Sequence, residues 1–283
     1  MHIVYIVNSY PFSIKEKYNK MIHAELNELH NKISFENCNW LSEFYLISKK
    51  KKINADIIFP KIDIYKRFGY YNSKDYLSSV LKNNNFIDYI ICGANFFEFN
   101  DLFKLYKHKI GKIILWYSTN INQSEFQDIS NIYDQVLSDN DKIIKLGSNL
   151  RIKCSKLLIS IPERLIIKND NYEDRKEEIF FSGSLNLKFR KRYDIFNFIL
   201  KNKISLELRL RDINEELIFF KKVNLFIKKN FPTFHQFLID KKILPFKNKF
   251  KKVNKKELYG IDMVKKMKDF KFCINIHSDF DID

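Results

Sequence analysis

The first half of this chain alternates short, unbroken apolar runs with amphipathic stretches, and that rhythm restricts the fold more than any other feature. "HIVYIVN" (His2–Asn8), "FYLIS", "DIIFP", "DYIICG" (Asp88–Gly93), "KIILWYS" (Lys112–Ser118), "QVLSD" and "KLLIS" are each too short for a buried helix and carry no polar face. A strand that is apolar on both sides must be covered on both sides, which is the condition of a parallel sheet between helical layers. The intervening segments supply those layers. Ile22, Leu26, Leu29 and Ile33 recur on one helical face after a start near Ser13. "SKDYLSSVLKN" reads as a short helix capped by Ser73, and "FFEFNDLFKLYKH" as another. Residues 1–165 are therefore expected to form a doubly wound, Rossmann-like domain.

The rhythm then stops and restarts. "NDNYEDRKEE" is almost wholly polar, so 166–178 is read as a linker. After it come an apolar run ending in Ser-Gly-Ser, a basic amphipathic helix from about Lys188 to Lys201, and the strand "ISLELRLR". A Lys- and Phe-rich, mostly helical region runs from Ile213 to Lys256. The chain closes with a helix capped by Asp262, on which Met263 and Met267 share a face, and with the strand "FKFCINIH". This predicts a second α/β domain over 179–283, whose first strand opens at Ile179. Ligands of open parallel sheets bind beyond the carboxyl ends of the strands. "SGS" is placed there, with a glycine for a tight turn and a following helix whose free N–H groups suit an anion.

Composition narrows the function classes. The 283 residues are 45% apolar and 16% aromatic, enough for real cores, and no apolar run approaches the roughly 18–20 residues of a membrane span. The opening "MHIVYIVNSYPF" lacks a basic n-region and reads as a strand rather than a signal peptide. Cys38, Cys92, Cys154 and Cys273 are scattered without a C-x-x-C pair, which argues against a disulfide frame or metal cluster and for a reducing, cytoplasmic setting. The +16 formal charge favours anionic partners. Lysine, asparagine, isoleucine, phenylalanine and tyrosine all have A/T-rich codons, however, so much of the excess is read as solvated surface.

Two stretches carry a family resemblance. "IFFSGSLNLKFRKRYDIF" resembles the segment that opens the nucleotide-sugar domain of GT-B glycosyltransferases, and "LYGIDMVKKMKDFKFCINIHSDFD" resembles the spore-maturation-protein-like branch of that superfamily. The matching residues are few: Gly183, Gly260, Asp262, Lys271, Asn275 and His277. The resemblance implies two Rossmann-type domains facing a cleft and transfer of a sugar from a nucleotide-diphosphate donor, with no metal or other cofactor. On the donor side it points to Ser182, Gly183, Ser184, Lys188, Arg190, Gly260, Asn275 and His277. Arg190 suits a bidentate phosphate contact. On the acceptor side, Asn8, Ser9, Asn95, Tyr117 and Ser118 follow strands of the first domain, where the family receives a glycan, lipid or protein acceptor. In the family the last strand is followed by a helix carrying a ribose-binding acid. Here Asp283 ends the sequence, which implies a donor domain cut short, as in a fragment or a non-catalytic copy.

Three further readings stand beside this one. Asp279, Asp281 and Asp283 in "DFDID" imitate the D-x-D metal site of GT-A transferases, where carboxylates hold a divalent ion on a nucleotide diphosphate. A non-catalytic basic binding protein is the alternative from another class, although no nucleic-acid-binding signature supports it. Surface lysine would also permit peripheral contact with an anionic membrane face. The histidines, including His23, His30 and His108, form no ligand spacing, and no residue identifies itself as the catalytic base.

Overall fold

The computed structural model describes residues 1–8, 24–117, 123–157, 163–166, 171–184, 190–211, 226, 229–231, 253–256, 258 and 260–274. The chain divides into two compact units, Met1–Ile166 and Ile167–Asp283. It is an α/β protein in which each unit is built on a parallel sheet.

In the first unit six strands lie in the order β2-β1-β3-β4-β5-β6: β1 (His2–Ile6), β2 (Asn54–Ile58), β3 (Ile87–Cys92), β4 (Ile110–Trp116), β5 (Gln135–Ser138) and β6 (Cys154–Lys156). Every residue of β1 is buried, so its peptide groups must be satisfied by neighbouring strands. Val4 pairs with Asp56 on one side and Ile90 on the other, and Ile6 with Ile58 and Cys92. The chain leaves β1 in one direction to reach β2, then returns past it to β3 and runs outward to β6. Right-handed crossovers then put α1 (Leu26–Asn37) and α2 (Trp40–Lys50) on one face, and α3 (Ser73–Asn83), α4 (Asn100–Leu105), α5 (Gln123–Ser130) and α6 (Asp141–Asn149) on the other.

Asparagine sets several of these helix starts. The side chains of Asn39, Asn72 and Asn140 accept from the backbone N–H of Leu41, Asp75 and Lys142, at the heads of α2, α3 and α6. Asp75 also accepts from Tyr71 N–H at 2.9 Å, which ties the chain just before the cap to the first turn of α3. Ser73, expected as that cap, is the first helical residue instead. The larger correction is "FYLIS", which is no strand but the middle of α2. Leu41, Tyr45 and Ser48 turn inward at helical spacing, while Phe44 and Ile47 stay 43% and 45% exposed. Two apolar side chains on the outer face hid the period. The "KLLIS" run also pairs earlier than expected, since β6 spans Cys154–Lys156.

The second unit has a three-stranded parallel sheet in the order β8-β7-β9: β7 (Lys176–Ser184), β8 (Leu206–Arg211) and β9 (Phe270–Cys273). Between the strands stand α7 (Arg190–Lys201) and α8 (Gly260–Met267). β7 starts at Lys176, inside the stretch read as linker. Asp262 lies within the first turn of α8 rather than before it. Phe181, Phe196, Ile199, Leu206, Leu208 and Leu210 close the core. Most of the Ile213–Lys256 region lies outside the described residues.

One core residue of the first unit is titratable. His30 is 1% exposed and faces the rings of Phe59, Tyr65 and Tyr76 at 5.7–6.0 Å, and its Nε2 is buried without a hydrogen-bond partner. Burial pushes its pKa down to about 3, against the pull of Asp56 and with help from Lys49. The unfolded chain therefore takes up this proton first, so the stability is full above pH ~6.5 and is lost as pH falls toward 3. In urea titrations, replacing His30 by Phe is expected to flatten the acid-side stability slope by about 1.4 kcal/mol per pH unit in that window. An unchanged slope would refute the buried, neutral His30.

Candidate functional site

Each sheet has one central strand from which the chain departs both ways, and such a reversal opens a crevice at the carboxyl edge. In the first unit that place lies between β1 and β3. Backbone bonds from Val7 N–H to Ile58 O and from Gly93 N–H to Ile6 O, both 2.9 Å, carry the ladder to the edge. A side chain at Gly93 would come within 2.9 Å of Leu41 Cδ1 and 3.5 Å of Ile6 O, so the glycine lets α2 approach the strand ends closely.

The expected acceptor residues are distributed unevenly around this edge. Asn8 is exposed, and its carbonyl lies 3.5 Å from Asn39 Nδ2. Asn95 turns inward, where its Oδ1 accepts from Tyr133 Oη at 3.2 Å. Burial raises the Tyr133 phenol, with Cys92 nearby reinforcing the shift, so this hydroxyl stays protonated as a donor. Tyr117 extends the sheet through a 2.9 Å bond from its N–H to Leu137 O. Ser9 and Ser118 lie outside the described residues.

Sequence reasoning missed an aromatic pair here. Trp116 ends β4, where its ring meets Trp40 edge-on at 5.5 Å, and its buried Nε1–H has no hydrogen-bond partner. The signal was present, because these are the chain's two tryptophans and both stand at element ends. Nearby, Arg164 is paired with Glu43 of α2 and lies over the Phe35 ring at 4.3 Å.

In the second unit the reversal falls at β7. Ser182 and Gly183 are in the strand and Ser184 is its last residue, so the Ser-Gly-Ser stretch is not the tight turn expected of it. Gly183 has no left-handed φ. Its lack of a side chain serves packing: an added Cβ would lie 2.8 Å from Phe181 Cζ, since residues two apart share a strand face. Phe181 in turn meets Phe196 of α7 at 4.8 Å and the Arg192 guanidinium at 5.6 Å.

The glycine that needs its conformational freedom is Gly260, with φ 50° at the head of α8. Ser182 Oγ donates to Leu258 O at 3.4 Å, which brings the approach to α8 against the end of β7. The structure thus gathers Ser182, Gly183, Ser184 and Gly260 at one edge, with Arg190 opening α7. On β8, Arg211 is the register partner of Ser184, a cation that sequence reasoning did not single out. Lys188, Asn275, His277, Asp279, Asp281 and Asp283 lie outside the described residues.

Further back on β8 an ion cluster around one buried carboxylate holds the returning chain. Glu207 on β8 is 1% exposed and bonds Arg209 Nε at 2.8 Å and Lys255 Nζ at 2.5 Å. Burial works to raise its carboxyl, but the hydrogen bonds from Lys255 and Arg209 outweigh that and hold it below the usual range. Asn254 Oδ1 accepts from Leu210 N–H at 2.8 Å, adding a short parallel bridge next to β8. Lys271, matched by resemblance, is tied to Glu173 and Glu177 in ion pairs on β9. No group of three metal-ligating side chains occurs among the described residues, and none of their helices is long and apolar enough to cross a membrane.

Fold and edges together define an α/β protein of Rossmann-like architecture with a second, smaller parallel sheet. No family model and no curated protein matches the chain. Among solved structures it has a weak likeness to the Glycosylation Associate Protein (Gap123) complex from Streptococcus agalactiae. The identity is 14% and the TM-score 0.27, and the match covers 59% of this chain and 38% of that one.

The packing role of Gly183 has a direct test. Gly183→Ala is expected to cost about 1–3 kcal/mol of stability by overpacking against Phe181. Phe181→Leu should relieve most of that added cost in the double variant. Equal costs in both backgrounds would contradict the contact.

Proposed function

We propose that the protein is a glycosyltransferase that binds a nucleotide-diphosphate sugar at the carboxyl edge of the second sheet. The observation that carries this reading is the reversal of winding at β7. It sets Ser182–Ser184, Gly260 and the starts of α7 and α8 around one edge. Helix N-termini present unpaired N–H groups and a positive dipole end, which suit a diphosphate. Arg190 and Lys188 would add charge, and Arg190 can do so through two parallel hydrogen bonds. The resemblance of the segments around Gly183 and Gly260 to nucleotide-sugar domains points to the same ligand.

In this reading an acceptor hydroxyl oxygen bonds the anomeric carbon while the bond from that carbon to the diphosphate oxygen breaks. The diphosphate leaves with the electron pair, and the hydroxyl proton passes to a base. Protein cations and N–H groups stabilise the charge that develops on the leaving group. The acceptor, a glycan, lipid or protein, is assigned to the carboxyl edge of the first sheet. There Asn8 and Tyr117 stand with the half-buried ring of Trp40, which packs on Trp116, and an indole face suits a sugar.

Titration of the full chain with a panel of nucleoside diphosphates and nucleotide sugars should show calorimetric binding. Arg190→Ala should weaken it by about tenfold. Because the chain has only two tryptophans, acceptor analogues should change its tryptophan emission. No heat with any donor of the panel would end this reading.

A further inference from the structure

The first unit holds a second ligand-sized feature, at the opposite end of its sheet from the edge described above. A cavity of about 610 Å³ opens where the chain enters β5 and β6. Its floor is apolar, from Phe103, Leu150 and Ile152, and its rim carries Lys104, Lys107, Arg151 and Lys153. One acid, Asp134, is among the lining residues and is already engaged: its carboxylate takes Lys107 Nζ at 2.6–2.7 Å and Ile113 N–H at 2.7 Å.

The remaining cations are unspent. Among the described residues, the side chains of Lys104, Arg151 and Lys153 have no hydrogen bond, ion pair or ring contact. They stand near the carboxyl ends of α4 and α6, where a cation can answer a helix dipole. Lys109 shows what that use looks like: its Nζ lies 3.2–3.4 Å from the carbonyls of Leu81, Lys82 and Asn84 at the end of α3. The three rim cations make no such contact. Like charges held around one concavity focus a positive potential into it. A smaller hollow of about 300 Å³ adjoins through Lys104, Asn131 and Ile132. It is lined by Asn100, whose Oδ1 is buried without a partner.

We infer that this cavity binds a phosphate-bearing ligand, its phosphate oxygens held by Lys104, Arg151 and Lys153 and its body resting on the Phe103–Leu150–Ile152 floor. The volume falls in the range of small-molecule sites, and a charged head on an apolar body matches rim and floor. A soluble phosphate ester and a lipid headgroup both present this chemistry. The site is independent of the proposed donor edge, which lies in the other unit.

The test uses hydrogen–deuterium exchange of the full chain with inorganic pyrophosphate, and separately with phosphatidylglycerol-containing vesicles. Either probe should protect peptides over residues 100–107 and 148–156. The variant Lys104→Gln/Arg151→Asn/Lys153→Gln should abolish that protection. Asparagine is chosen because Arg151 has φ 56°, which asparagine tolerates. Lys104→Arg/Lys153→Arg should retain it, and so should the charge-matched control Lys32→Gln/Lys50→Gln/Lys61→Gln. Protection by pyrophosphate identifies a soluble ester, and protection by vesicles alone identifies a headgroup. The proposal is overturned by protection that survives the triple rim variant, by protection lost equally in the control, or by none from either probe. Failure at the donor edge would instead appear in peptides of the second unit.

Discussion

Everything in the first unit depends on the satisfaction of β1 from both sides. A strand with all five residues buried has no water for its peptide groups, so parallel neighbours must supply every partner. The chain provides two neighbours for β1 by going out to β2 and coming back to β3. That return creates the reversal, which fixes where Asn8 and Gly93 stand and opens the edge beside them. β7 is also paired on both sides, by β8 and β9, but only Phe180 and Phe181 of its described side chains are buried, so its reversal rests on strand pairing rather than on full burial.

This constraint also decides what could be read from the letters. Strands buried on both faces announce themselves as unbroken apolar runs, and "HIVYIVN", "DIIFP", "DYIICG" and "KIILWYS" are strands. The rule failed at "FYLIS" because Phe44 and Ile47 are apolar on an exposed helix face, so a run formed without burial demanding it. Asn39 just upstream was the corrective signal, since its side chain caps the helix. The Asp262 cap misread the same kind of local sign by three residues, since the helix already begins at Gly260.

The sites were less legible, for a different reason. The position of Ser182–Ser184 at a carboxyl edge followed from strand order, but the role of Gly183 did not. Only the ring of Phe181 folded over it shows a packing position rather than a turn. Glu207 read as one charge in "ISLELRLR", and its partner Lys255 lies far along the chain, so no local pattern could mark the cluster. The basic cavity likewise draws Lys104 from α4 and Arg151 and Lys153 from the α6–β6 connection, two segments that only the sheet brings together.

The central claim is that a nucleotide diphosphate is held where β7 ends and α7 and α8 begin. Photo-crosslinking with an azido-nucleotide-diphosphate sugar, followed by peptide mapping, tests it most directly. The account predicts label in peptides spanning residues 182–192 or 258–263, displaced by excess unmodified donor. Displaceable label confined to Met1–Ile166 would contradict it.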